Sequence, residues 1–527
     1  MRRLIVVALA LCGLALAASA ASARVLLVGS FHGIRGQFRT LQAAVNAARP
    51  GDWILIGPGD YKTHASRRPR GRSDLPAAVL VTKRGLHIRG MNRNTVIIDG
   101  TRRGAPCNRL KRDQNFGPRS KNGPMGLNGI MVWKADKVSI ENLTACNFLG
   151  GSGDTGNEIW WNGGDGSWKI GGWGYYGAFL NATSTFYDAG AKNPEESAAK
   201  YGIFSSDWSG GTWAHDYASN FNDSGFYVGA CQQVCNQKLT HIWAEFSSLG
   251  YSGSNSGGKM LIEYSEFDHN KDGFDTNSQN GDNPPPQDGA CPDGGISPIT
   301  HTHSCWVFMH NYVHDNNNPN VPAQGLSAEG PVGTGMSVSG GRDDTLMDNT
   351  FANNDAWGVI FVPFLDSGPP CRGGTLTGGT CIYDEWGDAL LNNTFVNNGS
   401  YGHPSNGDIG FLNFESGHPT SCFHGNHEPG GKPVTPAGAQ LLQTTHPSCN
   451  GTPATTDSSD PQFLTEVLCN AQVSLGAGPP SCPNGQYPRF THAQMHPLPT
   501  RRLKSMPNPC AGVPNNPWCR GGRVRRA

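Results

Sequence analysis

The chain has 527 residues, among them 71 Gly and 37 Pro, and its 41 basic and 41 acidic side chains cancel to a formal net charge of zero. That balance gives no electrostatic case for nucleic acid or an anionic membrane as partner. With only 16% charged residues, and Gly and Asn interleaved with short apolar runs, the composition favours many short strands joined by tight turns over helices.

In chain order, residues 1–23 read as a signal peptide. Arg2 and Arg3 supply the positive start, Leu4 to Ala18 the apolar stretch, and Ala21-Ser22-Ala23 the small-residue cleavage site, so a mature chain beginning at Arg24 is expected. No later segment has the roughly 18 uninterrupted apolar residues of a membrane helix. The expected location is secreted, extracellular or periplasmic. Cysteine usage agrees: 15 in all, an even number once Cys12 is removed, which reads as a disulfide set in an exported chain. Sequence neighbours are the natural pairs, Cys231 with Cys235, Cys371 with Cys381 and Cys510 with Cys519; a metal at Cys231 and Cys235 is the alternative.

Thr40 to Ala48 puts Leu41, Ala44, Val45 and Ala48 on one helical face, with Thr40 as cap and Pro50-Gly51-Asp52 as the stop. Strands follow at 53–56, 79–82, 86–89 and 96–99. A short helix feeding strands suits the cover that a solenoid needs over its open end.

The middle of the chain repeats. Gly202-Ile203, Gly225-Phe226, Gly250-Tyr251 and Gly273-Phe274 recur at spacings of 23, 25 and 23, and Gly335-Met336 and Gly358-Val359 at 23. Asn349-Thr350-Phe351 returns as Asn393-Thr394-Phe395 after 44 residues, which predicts two turns of 22. Such a period suits a coil of about three short strands. Asn at equivalent bends would stack and hydrogen-bond its copies. The division expected is a parallel β-helix over residues 24–418, with loop insertions near 150–187 and 279–304, and an irregular, disulfide-pinned cap and loose tail over 419–527.

The helix-strand opening at 40–61 and the Gly-apolar and Asn-Thr-Phe rungs resemble right-handed parallel β-helix proteins of the pectate-lyase-like superfamily, over roughly 41–414. The resemblance implies an all-β solenoid. For function it is broad, because this fold carries lyases, hydrolases, epimerases, tailspikes and adhesins.

The segment most suggestive of chemistry is His269-Asn270-Lys271-Asp272-Gly273-Phe274-Asp275. Phe274 takes the apolar slot of its rung, so alternation turns Asp275 outward, in register with Tyr227, Ser252 and Ser337. Asp272 is expected at the bend before the strand, where two carboxylates at one edge would share a Ca²⁺ ion. The segment is similar to the acidic loop of calcium-dependent β-helix pectate lyases, which reads Asp-Asp-Gly-Phe-Asp. Asp272 and Asp275 match its last two acids, and Lys271 replaces the first. In such a lyase a basic group takes the uronate C5 proton, and Lys271 and Arg342 are the candidate bases, Lys271 the better one if desolvated. The bland alternative is that Asp272 and Asp275 only shape a turn.

A hydrolase would need convergent acids. Asp343-Asp344 and Asp384-Glu385 are adjacent pairs that a strand would point to opposite faces. Trp160, Trp161, Trp168, Trp173, Tyr175 and Tyr176 crowd a Gly-rich stretch and offer either sugar-stacking rings or a satellite core. Trp160, Trp161, Trp173, Tyr227 and His269 are the candidate substrate contacts, and His215, His241 and His269, which recur about once per coil, read either as half-exposed bend residues or as a titratable strip. The function expected is a secreted, monomeric β-helix protein that acts on or binds an acidic polysaccharide, most like a polyuronate lyase. The rival is a non-catalytic carbohydrate-binding or cell-surface scaffold protein.

Overall fold

The computed structural model describes residues 23–167, 169–191, 198–231, 235–279, 306–322, 328–371, 373–414, 416–447, 457–474 and 478–525. The expected signal peptide as far as Ser22, Trp168 of the aromatic stretch and most of the 279–304 segment lie outside them.

The chain winds as a right-handed parallel β-helix whose coils supply three stacked sheets. One coil shows the plan. Ser224–Gly229 belongs to an 11-stranded sheet (sheet I), Gln237–Thr240 to a 12-stranded sheet (sheet II) and Trp243–Glu245 to a 10-stranded sheet (sheet III), before Leu249–Ser254 re-enters sheet I. Each sheet is parallel except where Asp457–Ser458 closes sheet I.

Alternation decides what is inside. Ile203, Phe226, Tyr251, Phe274, Met336, Val359 and Ile409 are register partners in one fully buried column. The Tyr251 and Phe274 rings stack at 4.1 Å. Each such side chain contributes about 1.5–3 kcal/mol by leaving water. The corner from sheet II to sheet III is turned by a single left-handed residue, and its column runs Phe179, His215, His241, Tyr264, His310, Asp348 and Asn392 with φ of 50–60°. Two Asn columns sit inside the corners, one running from Asn270 through Asn316 and Asn354 to Asn398, the other from Asn311 to Asn426. In the second, each side-chain amide N–H donates to the next amide oxygen, Asn311 to Asn349 (3.2 Å), Asn349 to Asn393 (2.9 Å) and Asn393 to Asn426 (3.0 Å). Each stacked Asn also bonds neighbouring backbone, as Asn349 Nδ2 does to the Phe308 carbonyl at 2.9 Å, so burial leaves its amide satisfied.

Helix α1 (Leu41–Ala47) covers the first coils and is capped by the Thr40 hydroxyl, which accepts from the Ala43 N–H. Two further helices follow the solenoid, α2 (Ala437–Thr445) and α3 (Phe463–Ala471). The three pairs of neighbouring cysteines are disulfides, joined by Cys107–Cys146 and Cys469–Cys482. No helix among the described residues is long and apolar enough to cross a membrane.

Three expectations need correction. The 44-residue spacing is one coil, not two: Thr350 pairs directly with Thr394. The extra length forms an antiparallel excursion of Phe364–Ser367, Thr375–Thr377 and Thr380–Tyr383, pinned by Cys371–Cys381. Residues 150–187 are not one insertion, because Asn157–Asn162, Tyr175–Ala178 and Asn181–Thr183 take places in sheets I, II and III. Aromatic residues there hid a strand alternation. The C-terminal segment is not loose. It runs back along the solenoid, bonding Asn320 through Thr491, Asn220 through His496, Asn142 through Ser505 and Ile34 through Trp518. Trp518 and the Cys510–Cys519 disulfide pack with Leu27, Leu55 and Met91 of the first coils.

Candidate functional site

A trough of about 370 Å³ lies on the outer face of sheet I. Its floor comes from the outward residues of successive strands: Ser252, Asp275 and Ser337 are register partners, with Ser254, Asn277 and Ser339 two positions on. One wall is α3, whose Leu464, Val467, Leu468 and Ala471 recur at helical spacing and face the trough. Phe463 on that helix packs edge-on to Trp357 of sheet I at 5.8 Å, which fixes the wall to the floor. Tyr201 and Tyr227 line one end, their rings 4.8 Å apart. Lys200, Asp223 and Glu329 add charge to the lining.

Asp275 is half-buried in this floor. Its carboxylate accepts from the Asn277 amide at 2.7 Å and the Ser339 hydroxyl at 3.2 Å. Burial outweighs those bonds and pushes its pKa up to about 6. Asp272, the first residue of its strand, is fully buried and accepts from the Ser337 hydroxyl at 2.6 Å. Burial, and then the charge of Asp275, hold its pKa well above the carboxylate range. Lys271 is buried, and its ammonium donates to the carbonyl of Ala328, next to the lining residues Glu329, Gly330 and Pro331. Burial lowers its pKa to about 8, with Asp272 opposing and Arg489 reinforcing the shift.

Of these three groups only Asp275 lines the trough; Asp272 is buried behind it on the Ser337 hydroxyl, and Lys271 reaches the Ala328 carbonyl beside the lining residues 329–331. Arg342 is not among them: it lies on the connection to sheet II, its guanidinium 5.1 Å above the Trp386 ring and donating to the Gly373 carbonyl at 2.9 Å. His269 also points elsewhere. It turns the corner from sheet III with φ 56°, and its Nδ1 lies 2.5 Å from Asp268. The expected histidine strip divides accordingly: His215 and His241 lie on the other corner, their rings 4.9 Å apart and tilted by 40°, and the column continues by stacking through Tyr264 to His310.

The aromatic candidates divide by alternation. Trp161 points inward, is fully buried and stacks on Tyr175 at 4.8 Å. Trp160 points outward on the column that continues through Phe204 to Tyr227, with centroids 5.0 and 4.6 Å apart, yet its ring is covered at 3% exposure. Trp173 is 55% exposed, on a two-residue strand outside the trough. Asp344, Asp384 and Glu385 are buried, away from the trough lining.

Calcium takes six to eight oxygen ligands. Asp272 and Asp275 offer two carboxylates beside the Lys271 ammonium, and among the described residues they belong to no cluster of three or more ligand groups. That donor set does not fit a calcium ion as the sequence motif led one to expect. The apolar wall and Glu329 lie outside the residues to which the sequence motif points. The spacing of Phe463, Leu464, Val467, Leu468 and Ala471 was the available signal for α3, but nothing local says where the helix docks.

No family model matches the chain, and no curated protein matches it. Among solved structures, it resembles the A-module of a mannuronan C-5 epimerase from Azotobacter vinelandii, with 14% identity over 75% of this chain and 87% of that one and a TM-score of 0.39. A Family 28 exopolygalacturonase from Yersinia enterocolitica matches at 11% identity, 77% and 75% coverage and a TM-score of 0.43. A mannuronic acid specific family 6 lyase from human gut microbiota matches at 12% identity, 76% and 80% coverage and 0.40. At such scores these likenesses decide nothing about activity, and the fold rests on the strand register itself.

Proposed function

We propose that this protein is exported and binds an acidic polysaccharide in the trough over sheet I, cleaving it by β-elimination. One observation carries the reading: a polar floor of hydroxyls, amide and carboxyl is set against the apolar wall of α3. A sugar chain has hydroxyl edges and apolar ring faces, and such a trough meets both. The disulfides suit an oxidising compartment. In the elimination, Lys271 takes the proton from C5 of a uronate, the electron pair forms the C4–C5 double bond, and the C4–O bond breaks. The acid form of Asp275 protonates the departing oxygen. Burial lowers Lys271 to about 8 and raises Asp275 to about 6, so near neutral pH the free amine and the acid carboxyl are each a minor but populated form, roughly a tenth of the molecules. Calcium has no step in this reading.

A second reading, binding without turnover, is favoured by the Lys271 ammonium being buried and tied to Ala328. Incubation of the full chain with pectate, polymannuronate and polyguluronate separates them. Ultraviolet absorbance of unsaturated uronide, lost in Lys271→Met, supports the lyase. Retardation in a polysaccharide-containing gel without any such product supports the binder. Neither product nor retardation would remove both readings.

A further inference from the structure

The outer face of sheet III holds a second cluster, separate from the trough. Glu245, Asp268 and His314 are register partners on three successive strands, and Trp243, Glu266 and Tyr312 are partners beside them. Ala244, Phe267 and Val313 between them are buried, so both columns point outward. Donor atoms of Glu266, Asp268 and His314 lie within 4.8 Å of one another, as do those of Glu245, Asp268 and His269.

We infer that this face binds a divalent transition-metal ion of the zinc class, held by Glu266, Asp268 and His314. The inference does not rest on the reading of the trough. The second shell is the kind that orients metal ligands. His314 directs Nε2 toward Glu266 at 3.4 Å, while its Nδ1 lies 2.6 Å from the Asp315 carboxylate. The Trp243 indole N–H donates to Asp268 at 2.6 Å, and the Tyr217 hydroxyl donates to Glu245 at 2.6 Å. Beside His269, His496 stacks on Phe246 at 3.7 Å and carries a shielded Nε2 with no hydrogen-bond partner among the described residues. Imidazole with two carboxylates suits zinc, manganese or cobalt; calcium and magnesium prefer oxygen alone. Arg502 lies over the Trp243 ring at 4.1 Å and stands 3.7 Å from Glu266, an exposed cation at the rim of the cluster. It repels an incoming metal, so its removal tightens binding.

The test is titration of the metal-free full chain with zinc chloride by calorimetry, and with cobalt chloride by its visible ligand-field absorption. One saturable equivalent is expected, unchanged by excess calcium. It should disappear in Asp268→Asn and in His314→Gln, weaken about tenfold or more in Asp315→Asn, tighten in Arg502→Ala, and persist in Asp275→Asn. Metal-free thermal unfolding of each variant reports its folding, and His314→Gln carries the test if Asp268→Asn does not fold. A chain that takes up no equivalent, or one that His314→Gln leaves unaltered, overturns the inference.

Discussion

The outer faces of sheets I and III are built by the same coils yet do opposite things. Strands of sheet I near the trough are six residues long, as in Ser224–Gly229 and Asp272–Asn277. That width leaves a flat floor with room for a helix along one side. Strands of sheet III near the second cluster are three residues long, as in Trp243–Glu245 and Glu266–Asp268. Only two side chains per rung face outward there, and with rungs about 4.8 Å apart they converge on each other. The C-terminal segment also crosses this face, through Asn220 to the His496 carbonyl at 2.8 Å and Arg502 over Trp243. Strand length, set coil by coil, therefore separates an open trough from a closed polar cluster.

The harshest test of that contrast is to remove residues 491–527, the crossing segment. Leu503, Val513 and Trp518 lose buried sites, each at about 1.5–3 kcal/mol, so the urea midpoint should fall markedly while sugar retention in the trough persists. An unmoved midpoint would mean that the segment only decorates the face. Next in size, Lys271→Met should lower turnover by about a hundredfold or more with little change in thermal stability, because methionine keeps the buried stem while the lost Ala328 bond is offset by removal of a buried charge. Equal turnover in the variant would place the base elsewhere. Asn349→Ala breaks bonds to Asn393, Phe308 and Asn311 and should cost about 1–3 kcal/mol in chemical denaturation.

A smaller effect is pH-dependent. The Asp275 carboxyl is raised from 3.8 to about 6 in the fold. The folded chain therefore keeps a proton that the unfolded chain releases, and the associated stability, present at low pH, is lost as pH rises through about 6. Asp275→Asn should flatten that slope, and parallel curves for parent and variant would contradict the shift. The smallest change is expected from Trp173→Ala. This ring is 55% exposed and outside the trough, so stability should move by under about 0.5 kcal/mol and gel retardation not at all.

Much of the solenoid was legible in the chain. Phe226, Tyr251 and Phe274 fall in one column because a period-two pattern fixes which residues face inward, and Tyr227, Ser252, Asp275 and Ser337 share the outward column for the same reason. The same rule divided Trp160 from Trp161, although a Gly-rich setting made both look like loop residues. Arg342 could not be located this way, since it sits in a connection where no alternation applies.

The sequence by itself determined the coil, its inward and outward residues and the stacked Asn corners, because these depend on neighbours a few residues away or on a repeated pattern. Only the tertiary structure decided that α3 would wall the trough, that the chain's end would return to Ile34, and that 44 residues would make a single turn. Those contacts join segments tens to hundreds of positions apart through one-off complementarity of shape. A contact made once leaves no period in the chain from which to read it.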